Sequence, residues 1–298
     1  MSIKTATLNG VATIEIARPE KKNALTVAMY QAMADALNAA QADPAVRAVL
    51  ITGQPGIFTS GNDIEDFMSR PPGSGSNAAE SPVFQFMRAL VGIDKPVVAA
   101  VTGAAIGIGT TMLLHCDLVY VSDEARLAMP FVSLGLVPEF ASSLIVPRLL
   151  GNVKAAEKLL LGDPFSPEDA VDARIANAVL PAGEVVNHAR RIAERFNGLP
   201  PGAVRETKKL MMSAKAMVRA SGTKALRATP ERKSTGRKTT MVVMVLTRMG
   251  IATSWAAART AFTRSAVCSR WRWMFSSSTI ESSTRRPTPS ASPPRVNT

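Results

Sequence analysis

Lys95-Pro-Val-Val-Ala-Ala-Val-Thr-Gly-Ala-Ala-Ile-Gly-Ile-Gly109 opens with an apolar run of strand length, stops at Thr102-Gly103, and passes through closely spaced glycines into a segment of helical pattern, 107–116. An uninterrupted apolar strand of this kind is usually covered on both faces, as in a parallel sheet. A second such run, 46–51, ends likewise at Thr52-Gly53. Shorter strand candidates follow at 118–121 and 126–129, and apolar spacing predicts helices over 140–150, 153–161, 166–173, 184–197 and 202–220. Strand, loop and helix therefore alternate, and the fold class is α/β. Upstream, Asn9-Gly10 between two alternating runs is a hairpin signal. Thr26 is placed to cap a helix carrying Met29, Met33, Ala36, Leu37 and Ala40, which Asp43-Pro44 ends.

Charge divides the chain. Its 298 residues carry a formal +12, but residues 1–224 hold 22 Lys+Arg against 21 Asp+Glu, and the excess lies beyond them. Residues 225–298 contain 13 basic residues and only Glu231 and Glu281, together with all three tryptophans and dense Ser, Thr, Arg and Pro. We therefore divide the chain into a core domain over 1–200, a helical segment over 201–225, and a basic tail over 226–298 that is either disordered or translated out of its ancestral frame. A stretch over 70–82, rich in Gly, Ser and Pro, reads as a flexible insertion within the core. Because the basic excess is confined to the tail, nucleic acid is not the expected partner. No run is long enough to span a membrane, and no charged-then-apolar leader opens the chain. Two cysteines and two histidines make neither a disulfide framework nor a zinc site, so no metal is expected and a cytoplasmic location fits.

Three segments can carry chemistry. Gly107-Ile-Gly109-Thr-Thr-Met112 follows a strand but lacks the third glycine of a dinucleotide fingerprint, so a nicotinamide cofactor is not expected. The start of a helix there offers N–H groups to an anion or developing oxyanion, although the glycines would equally serve tight helix packing. Ser60-Gly61-Asn62-Asp63 leads from another strand end toward a helix, and is either a second set of donors or a simple capping turn. Glu139 follows Pro138 among Leu136, Val137, Phe140 and Ala141. It either balances a helix dipole or acts as a general base, with apolar neighbours raising its pKa and a helix end lowering it.

Five motifs in order resemble the crotonase superfamily, the enoyl-CoA hydratases and isomerases. They are Arg18-Pro-Glu-Lys-Lys-Asn-Ala-Leu25, Phe58-Thr-Ser-Gly-Asn-Asp-Ile64, the Lys95–Gly109 stretch, Cys116-Asp117 and Leu134-Gly-Leu-Val-Pro-Glu139. The resemblance implies a ββα superhelix with C-terminal helices. It also implies an acyl-CoA substrate, no separate cofactor, and a homotrimer or dimer of trimers. Matched motif to motif, the thioester carbonyl would be held by the main-chain N–H groups of Asn62 and Ile108. The coenzyme A arm would lie along Ala24, Leu25, Ser60, Gly61, Asp63 and Ile64, with Lys21 or Lys22 near phosphates. Where hydratases look to carry two glutamates, this sequence has Thr111 and Phe131. Phe131 and Glu139 instead resemble the pattern of the peroxisomal-type 3-enoyl to 2-enoyl-CoA isomerases, which implies one glutamate shuttling one proton.

Overall fold

The computed structural model describes residues 2–69 and 81–223. The basic tail expected over 226–298 lies outside them, as does the insertion except for Ser81 and Pro82, which begin a helix. Strands β1 (Ile3–Leu8) and β2 (Val11–Ile16) form the expected hairpin, with Leu8 opposite Val11. Asn9 and Gly10 both take positive φ, 48° and 71°, as a two-residue turn matched to strand twist requires. From β2 onward the sheet is parallel and runs through β3 (Ala48–Thr52), β5 (Val97–Val101), β7 (Leu118–Ser122) and β9 (Ala178–Leu180).

A second, small parallel sheet joins β4 (Ile57–Thr59), β6 (Ala104–Ile106) and β8 (Arg126–Ala128). Each of β3, β5 and β7 therefore turns into a short strand of this second sheet before a helix begins. The helices are α2 (Ile64–Ser69) and α3 (Pro82–Gly92) after β4, α4 (Ile108–Thr111) after β6, and α5 (Ser142–Leu150) after β8. Successive ββα units stack in register, which is the expected superhelix.

The sequence alternation sorts into two cores. Val49, Ile51, Val97, Ala99, Val101, Val119 and Val121 face the layer containing α1 (Val27–Ala42) and α3. Ala48, Leu50, Val98, Ala100 and Tyr120 face α8 (Val185–Glu194) through Val185, Ala189 and Ala193. The central strands are thus covered on both faces, as their apolar runs predict. Helix α1 begins at Thr26, whose side chain accepts from the Met29 N–H at 3.3 Å. Its buried Met29, Tyr30, Met33 and Leu37 pack against Val83, Phe86 and Leu90 of α3.

Several expectations need correction. The helix predicted over 107–116 makes one α-turn and tightens into a 3₁₀ segment over Met112–His115. The segment over 153–161 is α6 (Asn152–Ala156) followed by a π-turn over Glu157–Leu161. The helix predicted from 140 starts at Ser142, because Phe140 and Ala141 take left-handed φ of 51° and 56°. His188 is half-buried and set edge-on to the Tyr120 ring at 4.6 Å. Asp117 meets the neighbouring strand, accepting from Val97 N–H at 2.8 Å. It also accepts from Lys208 Nζ at 2.6 Å, which ties α9 (Pro201–Thr223) to the sheet. No helix among the described residues is long and apolar enough to cross a membrane.

Asn23 holds the first ββα unit together. Fully buried and at φ 54°, it donates from its side chain to the carbonyls of Ile16, Ile57 and Phe58 and accepts from Arg18 N–H. Its own carbonyl accepts from Thr59 Oγ1 at 2.7 Å. Asn23→Ala leaves those buried groups unpaired and places Ala in a left-handed conformation, so it should cost about 3 kcal/mol or more in urea denaturation. A loss below about 1 kcal/mol would show that water replaces the amide without penalty.

Candidate active site

The two glycine-containing loops predicted to carry donors lie side by side, because β4 and β6, which lead into them, are paired. A Cβ on Gly61 would come within 3.0 Å of Ile106 O, and one on Gly109 within 2.6 Å of Thr59 Cγ2. Gly109 therefore serves packing of α4 on β4, the plainer of the two readings open for it. Gly107 serves something else. Nothing stands within 4 Å of a Cβ built there, yet its φ of 58° and ψ of −115° suit glycine almost alone.

The directions of two main-chain N–H groups follow from peptide geometry. Cis peptides are absent among the described residues, and in a trans peptide C=O and N–H point oppositely. Gly107 O accepts from Thr110 N–H and Thr111 N–H inside the turn, so Ile108 N–H points backward out of the helix start. Gly61 O accepts from Leu25 N–H at 2.8 Å, so Asn62 N–H points away from Leu25. Among the described residues neither N–H has an acceptor. They remain available to a ligand.

Glu139 sits before α5 in the loop between β8 and that helix. Its carbonyl, rather than its carboxylate, meets the helix start, accepting from Ser142 N–H at 3.0 Å and Ser142 Oγ at 2.6 Å. The carboxylate therefore does not balance the dipole. Its Oε1 is buried, and with Thr111 Oγ1 it is one of two buried side-chain polar atoms without a partner among the described residues. Burial pushes the Glu139 carboxyl from its ordinary value of 4.5 up to about 7. The apolar neighbours thus win over the helix end. Phe140 and Ala141, which shape this loop, hold strained backbone of the kind that collects at functional sites.

The raised value has a stability consequence. Below pH 4.5 both folded and unfolded chains hold the proton; between there and about 7 only the folded chain does, so stability falls as pH rises through that window. Above it the charged, buried carboxylate costs up to about 3 kcal/mol. Glu139→Gln should erase this slope, being close to the parent in stability at pH 4 and more stable at pH 8. Parallel denaturation curves at the two pH values check it, and an equal difference at both would contradict the burial of the charge.

Aromatic side chains bridge the two walls of the site. Tyr30 of α1 donates its hydroxyl to Asn62 Oδ1 and packs against Phe86 with ring centroids 5.5 Å apart. Phe86 lies 6.4 Å from Phe140, which stacks on His115 at 3.8 Å. His115 Nε2 meets Phe140 O at 2.8 Å, so this histidine is packed and braces the Glu139 loop. Tyr30 has its pKa raised by burial first and then by the Glu139 charge. Thr111 and Phe131 are buried too.

The segment expected along the coenzyme A arm is drawn together by backbone bonds. Ser60 N–H donates to Lys22 O, Leu25 N–H to Gly61 O, and Asp63 N–H to Leu25 O, at 2.8 to 3.1 Å. Ala24 and Ser60 are half-buried, Leu25 and Gly61 buried, and Lys21, Lys22 and the apolar Ile64 exposed. Asp63 is engaged internally. Arg18 Nη1 donates to its Oδ2 at 2.7 Å, and this bond first, with the Asp66 N–H, holds the Asp63 carboxyl below its ordinary value. Sequence reading placed Arg18 and Asn23 in a motif of this region without giving either a role, and it missed Tyr30, whose partner Asn62 lies 32 positions along the chain.

A family model described as enoyl-CoA hydratase/isomerase matches residues 6–237. Over 204 residues the chain is 35% identical to enoyl-CoA delta isomerase 2 of Rattus norvegicus, covering 68% of this chain and 52% of that protein. It thus spans about half the length of that curated relative. Among solved structures it is similar to Pseudomonas aeruginosa OdaA, at 56% identity and a TM-score of 0.69, covering 72% of this chain and 85% of that one. It is also similar to an enoyl-CoA hydratase/isomerase from Pseudoalteromonas atlantica T6c, at 39% identity and a TM-score of 0.69, covering 74% of this chain and 86% of that one.

Proposed function

The chain belongs to the enoyl-CoA hydratase/isomerase family, and from that premise we propose that it is an enoyl-CoA isomerase moving a 3-enoyl double bond to the 2-position. The observation that carries this reading is the Glu139 carboxyl group, whose Oε1 is buried and without a partner among the described residues, and which burial poises near neutral pH. Glu139 takes a proton from C2 of the 3-enoyl thioester. The C–H electron pair forms a dienolate whose oxygen receives the main-chain N–H groups of Asn62 and Ile108. The protonated Glu139 then returns its proton at C4, leaving a C2=C3 bond and a restored carbonyl. One base suffices because no water is added, and Thr111 and Phe131 offer no carboxylate to activate one.

The coenzyme A arm lies along Ala24, Leu25, Ser60, Gly61, Asp63 and Ile64 in this reading. Lys22 is exposed beside them and supplies charge for a phosphate, while Asp63 contributes through its backbone position. Assembly as a homotrimer or dimer of trimers belongs to the same proposal, and the exposed apolar Val132, Leu134, Leu160 and Leu161 are consistent with a covered surface. Product chromatography after incubation with a 3-enoyl-CoA, a 2-enoyl-CoA and a saturated acyl-CoA tests the activity. A 2-enoyl-CoA formed from the first substrate supports it. A 3-hydroxyacyl-CoA from the second, or free acid from the third, without isomerisation of the first, overturns it in favour of hydratase or thioesterase chemistry.

A further inference from the structure

Asn62 is anchored on both sides by single backbone bonds, through Gly61 O and Asp63 N–H to Leu25. A peptide held at one point can still rock about that bond, and the preceding Gly61, at φ 97°, is a soft joint. The third anchor is a side chain on another element. Tyr30 is 2% exposed, its ring held by Phe86, so its hydroxyl is a fixed donor for Asn62 Oδ1. The same ring heads the aromatic line that runs through Phe86 and Phe140 to the residue beside Glu139.

Building on the proposed isomerase reading, we infer that Tyr30 is a positioning residue: its hydroxyl locks Asn62 so that the Asn62 main-chain N–H is aimed at the substrate oxygen, in register with the Glu139 wall. Tyr30 is not a proton carrier, because its one hydroxyl proton is committed to Asn62 Oδ1 and burial keeps it un-ionised. A donor aimed before substrate arrives needs no reorganisation during the reaction, which is what makes such groups effective.

Tyr30→Phe keeps the ring and removes the anchor. Misaiming a donor costs less than the roughly 10²- to 10³-fold of deleting one, so kcat on a 3-enoyl-CoA should fall about 10- to 100-fold, with KM nearly unchanged. The infrared carbonyl stretch of a bound saturated acyl-CoA, which cannot isomerise, reads the donors directly. Its shift to lower frequency should shrink in Tyr30→Phe and persist in Glu139→Gln. Asn62→Ala retains the main-chain N–H but loses the anchored oxygen. It should match Tyr30→Phe, and the double variant should be no worse than either single one.

Parental kcat and an undiminished carbonyl shift in Tyr30→Phe would overturn the role of Tyr30 and leave the isomerase reading standing. If Tyr30→Phe does not fold, additive loss is not measurable and Asn62→Ala decides alone: a parental carbonyl shift there overturns the inference. Absence of any shift in the parent protein would remove the oxyanion site itself, and the role of Tyr30 with it.

Discussion

Glu139→Gln should lower turnover of a 3-enoyl-CoA by about 10²- to 10⁴-fold while acyl-CoA affinity changes little. The amide matches the carboxylate in size, so the loop shaped by Phe140 and Ala141 has no steric reason to move. What is lost is the only feature of Glu139 that the chemistry uses, a basic oxygen. Burial has already raised its basicity to about 7, close to the pH at which a base can be both deprotonated and strong. In the parent protein kcat/KM should accordingly rise about tenfold per pH unit below that value and level off above it. Steady-state rates and an equilibrium binding measurement on a saturated acyl-CoA separate chemistry from affinity. Turnover within tenfold of the parent would refute the assignment of the base.

Gly107→Ala is expected to be the other severe change, for a reason that has nothing to do with volume. A methyl group fits, since nothing lies within 4 Å of it. The backbone does not, because φ 58° with ψ −115° is outside the regions open to Ala, and strain of this kind costs about 1 to 3 kcal/mol. Relaxing that strain rotates the peptide that carries Ile108 N–H. Loss of one such donor raises the barrier by about 2.7 to 4 kcal/mol, or 10²- to 10³-fold in kcat. Gly109→Ala is the control: its Cβ would strike Thr59 Cγ2 at 2.6 Å, so it should lower thermal stability through packing. Ile108→Val, which alters no donor, should act through shape alone. If Gly107→Ala retains parental kcat, the Ile108 N–H is not the group that receives charge.

What the sequence made legible follows from the range of the physics involved. The Asn9-Gly10 turn, the Thr26 cap and the apolar strands over 46–51 and 96–101 are decided by neighbouring residues, and each is present. Strands β4, β6 and β9, of three residues each, were missed, whereas β8, equally short, was expected over 126–129. Helix α3 was hidden because the Gly- and Ser-rich stretch was carried through to Pro82, which is in fact its first residue. The start of α5 was misplaced because left-handed backbone at Phe140 and Ala141 is imposed by the packed loop rather than by either residue's preference.

At the site, the motifs placed Asn62, Ile108 and Glu139 on three loops, and pairing of β4 with β6 brings the first two loops together. Partners supplied by distant elements were not legible. Tyr30 reaches Asn62 across 32 positions, and Lys208 reaches Asp117 across 91. Tyr30 and Lys208 each fit a helix pattern without any hint of a distant partner. That the Glu139 carbonyl, and not its carboxylate, meets the start of α5 could be learned only from the fold of the loop around Ser142.

Incubation with a 3-enoyl-CoA in deuterated water, followed by mass and position analysis of the product, puts the whole scheme to one test. A carboxyl group that lifts a proton from C2 and sets it down at C4 predicts 2-enoyl-CoA with C4 deuterium well below one atom per turnover, formed about 10²- to 10⁴-fold more slowly by Glu139→Gln. Full solvent deuterium at C4 with undiminished turnover in Glu139→Gln, or no 2-enoyl-CoA from the parent protein at all, would contradict it.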